Sequence, residues 1–313
     1  MNARDDEFVD VLSVHNTALW FGFHRVSADG PHQPKFILLE PVPSPREALQ
    51  TFSAVVVTGG SSGIGKSFIK LAAKLHPALR FCNLSRTAPL IKDDELMLCH
   101  IPCDLSSSSE VEQAATEVEV FLKHEVPAGR VLLINNSGFG SYGHFPKPNL
   151  AHQLGLLDVN IRGLVHLTGR LLPTLRTRGG AIINISSTAA FQPTPYMATY
   201  GASKAFVLHW SLALDAELRG SGVRALAVCP GPTATQFFRR AGLLQGSVAD
   251  QLSMSSDQVV MAALHALAKN RSLVVTGWKN KISALAGGMA PKRLATWVAA
   301  KVIGRYRMQQ VQQ

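Results

Sequence analysis

Cysteine, long apolar runs and, beyond Asp257, negative charge are all scarce in this 313-residue chain. Its four cysteines, Cys82, Cys99, Cys103 and Cys229, form no C-x-x-C pair, and none of the eleven histidines belongs to an H-E-x-x-H. That pattern argues against a zinc ribbon or a zinc peptidase centre, and no metal is expected. Most of the cysteines lie in or beside apolar strand-like runs, where they read as small core hydrophobes in a reducing cytoplasm. Every apolar stretch is interrupted short of the ~20 residues that a membrane-spanning helix needs. The opening Met1-Asn-Ala-Arg-Asp-Asp-Glu7 is too acidic for a signal or transit peptide, so a cytoplasmic location is expected. Neither fixed-period repeats nor low-complexity tracts occur.

The scarcity of acid has a counterpart. From Gln258 to the end there are nine Lys or Arg and no Asp or Glu, nearly the whole of the formal +10. Interleaved with Ile282, Leu285, Met289, Leu294, Trp297, Val298, Val302 and Ile303, these cations leave two readings open. One is an amphipathic contact with anionic lipid at a membrane surface. The other is a packed or solvated element, such as a dimer element or a lid, with Ile282 and Leu285 packed and Trp297–Arg307 a peripheral helix. A basic tail with no base-reading motif supports only non-specific attraction to nucleic acid, so no specific nucleic-acid partner is expected.

What is present is chemistry at fixed spacing. Ala54-Val55-Val56-Val57 is a short β-branched run of the kind that makes a buried parallel strand. It leads into Thr58-Gly59-Gly60-Ser61-Ser62-Gly63-Ile64-Gly65 and then an amphipathic stretch from Lys66 to His76, stopped by Pro77. Strand, glycine-rich turn and helix in that order make a pyrophosphate site at the helix N-terminus. The G-x-x-x-G-x-G spacing lacks the lysine of a nucleotide-hydrolysing loop. Far downstream, Tyr200 and Lys204 stand four apart on one predicted helix face, 13 residues after Ser187. An ammonium beside a phenol favours the phenolate, bringing a group that ordinarily titrates near pH ~10 towards use as a proton shuttle.

These motifs, in this order, resemble the short-chain dehydrogenase/reductase family across about residues 53–280. Thr58–Gly65 resembles its cofactor loop, and Asn135-Asn136-Ser137-Gly138 its NNAG segment, with serine in place of alanine. Asn160, Ser187, Tyr200 and Lys204 match its catalytic positions. Pro230, Gly231, Thr233 and Thr235 match the loop that closes over the nicotinamide. The resemblance implies a Rossmann fold in which Tyr200 donates the proton, Ser187 orients the carbonyl, and Lys204 binds the nicotinamide ribose and lowers the Tyr200 pKa. Ser186 and Tyr196 are competitors that lack the family spacing. Asn160 is expected to kink its helix around a water that links Lys204 to solvent. Thr58, Gly59, Ser61, Ser62, Gly63, Ile64, Gly65, Asn136 and Gly138 are expected at the dinucleotide, with Asp104 at its adenine.

Cofactor choice is legible at the end of the second strand. An acidic residue there would bind both ribose hydroxyls of NAD and repel a 2′-phosphate, but the chain reads Asn83-Leu84-Ser85-Arg86 and has no carboxylate until Asp93. A hydroxyl and a guanidinium suit a phosphate, so Ser85 and Arg86 predict NADP(H).

Further strand-like runs at Phe81–Leu84, Leu96–Ile101, Arg130–Ile134, Ala181–Ile185, Val223–Val228 and Ser272–Val275 alternate with helical stretches at Ser106–Lys123, Leu150–Arg178, Tyr200–Arg219 and Asp257–Lys269. That alternation predicts α/β architecture, a doubly wound parallel sheet in one domain at 51–280. An N-terminal extension of unknown role (1–50) and a basic amphipathic tail (281–313) flank it. Ser44-Pro45-Arg46-Glu47 carries the capping-box and first-turn proline signals of a short helix leading into the core. Ala189–Met197, Phe139–Pro146, Phe237 and Phe238 are expected to line an apolar pocket suited to a hydrophobic ketone, aldehyde or alcohol. The expected activity is NADP(H)-dependent oxidoreduction by a homo-oligomer. The alternative is a non-catalytic NADP(H) sensor or scaffold on the same fold.

Overall fold

Strand β1 (Phe52–Thr58) shows why the chain folds in layers, because its side chains alternate between two separate apolar cores. Ala54 and Val56 join one core with Val111, Leu171 and Ile182; Val55 and Val57 join the other with Phe68, Leu132 and Val260. A strand apolar on both faces must be central and parallel, with helices on either side. The computed structural model bears this out, and it describes residues 42–235, 237, 241 and 253–306.

In chain order the elements are α1 (Pro45–Gln50), β1, α2 (Gly63–Leu75), β2 (Arg80–Leu84), β3 (Leu98–Ile101), α3 (Ser108–His124), β4 (Arg130–Asn135) and α4 (Leu150–Leu157). There follow a π turn (Asp158–Gly163), α5 (Leu164–Arg178), β5 (Gly180–Ile185), a 3₁₀ turn (Thr188–Ala190), α6 (Ala198–Glu217) and β6 (Val223–Cys229). The last are α7 (Ser256–Ala268), β7 (Leu273–Val275), α8 (Trp278–Met289) and α9 (Lys292–Tyr306). The strands pair in parallel in the order β3-β2-β1-β4-β5-β6-β7. The chain therefore winds outward from β1 to β3, then crosses back to β4 and winds the other way. Beyond the carboxyl ends of β1 and β4 the loops diverge, and this is where such sheets bind ligands.

Three boundaries differ from the sequence expectation. The capping box at Ser44 and Glu47 forms and starts α1, whose Leu49 is fully buried in the core of β1 and α2. The folded unit thus begins before residue 51, while Trp20, Phe21 and Phe23 lie outside the described residues. The helical stretch expected at Leu150–Arg178 is divided by the π turn, which holds the Asn160 expected to kink it. At the other end α8 starts at Trp278, so the boundary drawn at 280 falls within a helix. Cys82, Cys103 and Cys229 are buried, Cys99 is half-buried, and all four are free thiols.

Candidate active site

The end of β1 sets the floor of the cleft. Thr58 turns its hydroxyl across the sheet to accept from the backbone N–H groups of Asn136 (2.9 Å) and Ser137 (3.0 Å). Asn136 replies by donating its Nδ2 to the carbonyls of Thr58 (2.9 Å) and Gly59 (3.2 Å). Neither Thr58 nor Gly65 lines the cleft; both hold its shape. A Cβ at Gly65 would come within 2.5 Å of Asn136 Nδ2 and of the Gly59 carbonyl, so only glycine lets helix and loop pack this closely.

The glycine-rich turn has a conformational requirement of its own. Gly59 has φ +70° and Gly63 has φ +54°, backbone that L-residues with side chains rarely adopt. Ser62 occupies the N-cap of α2 without making a side-chain cap, which leaves the first turn's N–H groups facing the cleft that Ser61, Ser62, Gly63 and Ile64 line. This is the helix-terminus geometry that accepts a phosphate. Thr235 lies across the same turn, with its methyl 3.1 Å from the position of a Gly63 Cβ. Asn83 was not among the expected site residues. Fully buried, it accepts the Gly60 N–H (2.7 Å) and donates Nδ2 to Ser85 Oγ (2.8 Å), tying the loop to the end of β2. Only its position one residue before Leu84-Ser85-Arg86 pointed to it.

Ser85 hydrogen-bonds the Thr87 carbonyl (2.8 Å), and both line the cleft. Arg86 is largely exposed, with its guanidinium 3.7 Å from Asp104 Oδ2. Burial opposes ionisation of Asp104. The N–H and hydroxyl of Ser106 (2.9 and 2.7 Å), with Arg86 beside them, more than offset it and hold the carboxyl below its usual range. An exposed pair of this length contributes little to stability, so Arg86 stays available to a stronger anion.

On the other wall, α6 presents Tyr200 and Lys204, both buried. The Lys204 ammonium lies 5.9 Å from the Tyr200 ring centroid and donates to the Ile185 carbonyl (2.9 Å). Burial pushes its pKa down to about 8. A Cβ at Gly138 would sit 2.9 Å from Asn160 Oδ1 and 3.2 Å from Lys204 Nζ, which explains glycine there. Asn160, in the π turn, clamps Phe139 from both sides: Oδ1 accepts its N–H (3.1 Å), and Nδ2 donates to its carbonyl (3.0 Å) and to Ser203 Oγ (3.0 Å). Asn160 is almost completely buried and does not line the cleft, so it acts on the site through Phe139 and Ser203. π turns of this kind recur at functional sites.

The two candidate serines separate cleanly. Ser186 spends its hydroxyl on the Lys204 carbonyl (2.7 Å), which ties the exit of β5 to α6. Ser187 caps the following 3₁₀ turn by accepting the Ala189 N–H (3.1 Å), and this leaves its own O–H to donate. Tyr196 packs edge-on against His144, away from the cleft lining.

All of this surrounds one cleft of about 1230 Å³. Gly59, Asn136, Gly138, Ser187, Tyr200 and Lys204 line it, as do Pro230, Gly231, Thr233 and Thr235 of the loop after β6. Its far end is apolar, built from Phe139, Tyr142, Met197 and Phe237, with the Tyr200 and Phe237 rings 5.3 Å apart. Phe238 lies outside the described residues, and Phe145 is exposed and outside the lining.

The tail departs from its sequence reading. Helices α8 and α9 are walls of this cleft: Asn280, Ser283 and Gly287 line it from one, Ala295, Val298 and Ile303 from the other. A Cβ at Gly231 would strike the Asn280 side chain at 2.3 Å, so α8 lies directly on the loop after β6. Ile282 and Leu285, expected to pack, are exposed, because the face of α8 that meets the protein is the opposite one, through Asn280, Ala284 and Gly287.

The geometry accommodates a dinucleotide. Glycines clear the approach, the α2 N-terminus carries no side-chain cap, and the exposed Arg86 guanidinium stands at the end of β2 beside Asp104. Comparison with known proteins agrees. Residues 53–243 match the family model of the short chain dehydrogenases. An uncharacterized oxidoreductase of Escherichia coli K12, YbbO, is 31% identical over 222 residues, 68% of this chain and 80% of that protein. A short-chain dehydrogenase from Sphingobium yanoikuyae, solved with NADPH, is 27% identical and superposes with a TM-score of 0.63 over 83% of this chain and 98% of its own. A Burkholderia phymatum short-chain dehydrogenase/reductase solved with NAD, 20% identical, shares the fold with a TM-score of 0.63 over 75% of this chain and 92% of its own. With the fold, the loop and the Ser-Tyr-Lys wall in place, the chain belongs to the short-chain dehydrogenases, a family of oxidoreductases.

Proposed function

We propose that this protein interconverts an apolar ketone or aldehyde and its alcohol, with NADP(H) as cofactor. The observation that carries the reading is the joint placement of Ser187, Tyr200 and Lys204 on one cleft with the glycine-rich turn. The dinucleotide would be held by the α2 N-terminus, Asn136 and the Pro230–Thr235 loop, with Asp104 near the adenine. When bound, it supplies or accepts the hydride. Ser85 and Arg86 favour a 2′-phosphate over a bare ribose.

The chain's own residues manage the proton. Ser187 donates to the carbonyl oxygen and fixes its position while negative charge grows there. Tyr200 delivers the proton to that oxygen, and in the reverse direction takes it from the alcohol. The Lys204 ammonium beside the ring favours the phenolate and so prepares Tyr200 for both directions. Asn160 keeps Phe139 and the start of α6 in place around them. The apolar end of the cleft excludes water and favours a hydrophobic substrate over a sugar or a charged acid. Exposed Leu150 and Leu154 on α4 and Phe206 on α6, helices that pack together, suit association of copies into a homo-oligomer.

A panel of apolar ketones and aldehydes tests the reading by following NADPH consumption. Turnover of at least one class, with NADH a poorer donor, is expected. Tight NADPH binding without turnover of any would favour a cofactor sensor on the same fold.

A further inference from the structure

Helix α8 has two unlike sides. Successive residues advance by about 100° around a helix, so Trp278, Ile282, Leu285 and Met289 fall within an arc of roughly 60°. All four are exposed, by 60–77%. The opposite side carries Asn280, the buried Ala284 and Gly287, which meets Gln192 with no room for a Cβ. A helix docked through its small residues while its largest apolar ones face outward is not completing the core of this fold. Among the described residues, eight of the fifteen exposed large apolar side chains lie between Trp278 and Val302, so this surface is concentrated rather than scattered.

Cations frame it. Lys279 and Lys281 flank the stripe, with the Lys279 ammonium 5.6 Å from the Trp278 ring centroid. On α9, Lys301 sits 4.0 Å over Trp297, and Lys292 and Arg293 precede it. No Asp or Glu occurs after Asp257. Tryptophan at the edge of an apolar face, with lysine and arginine beside it, is the composition of a helix that lies in a membrane interface. Neither α8, with 12 residues, nor α9, with 15, is long enough to span a bilayer.

We propose that α8 and α9 dock on an anionic lipid bilayer, with the Trp278–Met289 stripe entering the interface and the surrounding cations meeting lipid phosphates. A second copy of this chain is the less favoured occupant, because a two-fold contact would set one acid-free cationic face against another. Charge complementarity instead requires an anionic partner, and the exposed apolar stripe requires one with a hydrocarbon layer beneath the charge. Docking would also set Leu294, Val298 and Val302, half-exposed and lining the cleft, against the lipid. An apolar substrate could then enter from the bilayer; that consequence rests on the proposed function, whereas the docking does not.

The test is co-sedimentation of the full-length protein with phosphatidylcholine vesicles, with and without phosphatidylserine. Binding is expected to the phosphatidylserine vesicles at low salt, falling by about tenfold or more as salt screens the cations. Trp278→Ser/Ile282→Ser/Leu285→Ser and, separately, Lys279→Glu/Lys281→Glu should each weaken it by about tenfold, leaving the melting temperature and NADPH affinity unchanged. None of these five residues lines the cleft. The proposal is overturned by absence of binding at low salt, or by binding that neither variant weakens. It is equally overturned if the serine variant dissociates an oligomer in sedimentation velocity without vesicles, which would give the stripe to a second copy.

Discussion

Helix α6 buries two charges, and the chain treats them differently. At its far end, Asp215 is almost completely buried and accepts from Arg224 Nε (2.8 Å) and Nη2 (3.0 Å), the Ala225 N–H (2.9 Å) and the Ser272 hydroxyl (2.7 Å). Burial alone would raise its pKa, but those donors hold it below the ordinary carboxylate range. Eleven residues earlier at the cleft, or about three turns, Lys204 is as deeply set but donates to the Ile185 carbonyl alone among the described hydrogen bonds, and burial lowers its pKa to about 8. The contrast is between a buried charge fully solvated by protein donors and one left with capacity for a ligand, as the proposed function requires of Lys204. By linkage, the lowered pKa of Lys204 predicts an ammonium that opposes folding, and the lowered pKa of Asp215 a carboxylate that favours it.

Replacing Lys204 should break the comparison most visibly. Lys204→Met is expected to lower turnover by about 10²–10⁴-fold, the usual scale for a lost proton-transfer system. It should at the same time raise stability at pH 7. With a folded pKa of about 8 against an ordinary lysine value of 10.5, the buried ammonium opposes folding fully below about pH 8. That lowering corresponds to roughly 3 kcal/mol, of which losing the Ile185 hydrogen bond returns about 1–2. Thermal melts across pH check the sign: the advantage of the variant should shrink as pH climbs from about 8 towards 10.5, where wild-type Lys204 is neutral in both states. A variant less stable than wild type at pH 7 would mean that Lys204 is a structural cation like Asp215's partner.

Asp215→Asn should do the reverse, costing about 3 kcal/mol of stability with kcat unchanged. The figure is at the low end for a broken buried pair, because the partly exposed Arg224 can turn to water. Since the folded pKa is lowered, the stabilisation by Asp215 is present above its ordinary titration range and disappears as pH falls through the folded value. Denaturant melts of wild type and variant should therefore converge in acid but not at pH 5–8. The smallest effect belongs to the exposed charge. Arg86→Asp should weaken NADPH binding by about 1.5–3 kcal/mol and spare NADH, measured by titrating each cofactor against the intrinsic fluorescence. Equal loss for both cofactors would remove Arg86 from the phosphate site.

The parts of the site legible in the sequence are those in which chemistry dictates both residue type and spacing. Thr58–Gly65, Tyr200 and Lys204 were readable because a phosphate turn admits little but glycine and because Y-x-x-x-K is one helix face, whereas Ser187 was chosen over Ser186 only through the family resemblance. The sheet was readable because buried parallel strands must be apolar on both sides. Asn83 was not, since a buried asparagine bracing a loop has no spacing of its own. A kink at Asn160 was expected from the family resemblance, but its form, a π turn over Asp158–Gly163, was not legible because such a turn has no spacing signal of its own. The tail was left between a lipid-facing surface and a packed element or lid, and what failed was the packing expected of Ile282 and Leu285: α8 packs through Ala284 and Gly287, and the large side chains face outward. The available signal was the small residues at Ala284, Gly287, Ala295 and Ala299, which mark where a helix comes close to its neighbour.

If Tyr200 moves the proton on a cleft otherwise complete, one variant shows it directly. On the best carbonyl substrate, Tyr200→Phe should lower kcat/KM by about 10²–10⁴-fold while NADPH binds with wild-type affinity, because the ring is kept and only the hydroxyl is lost. Turnover within a few-fold of wild type, with NADPH affinity equally preserved, would contradict the account.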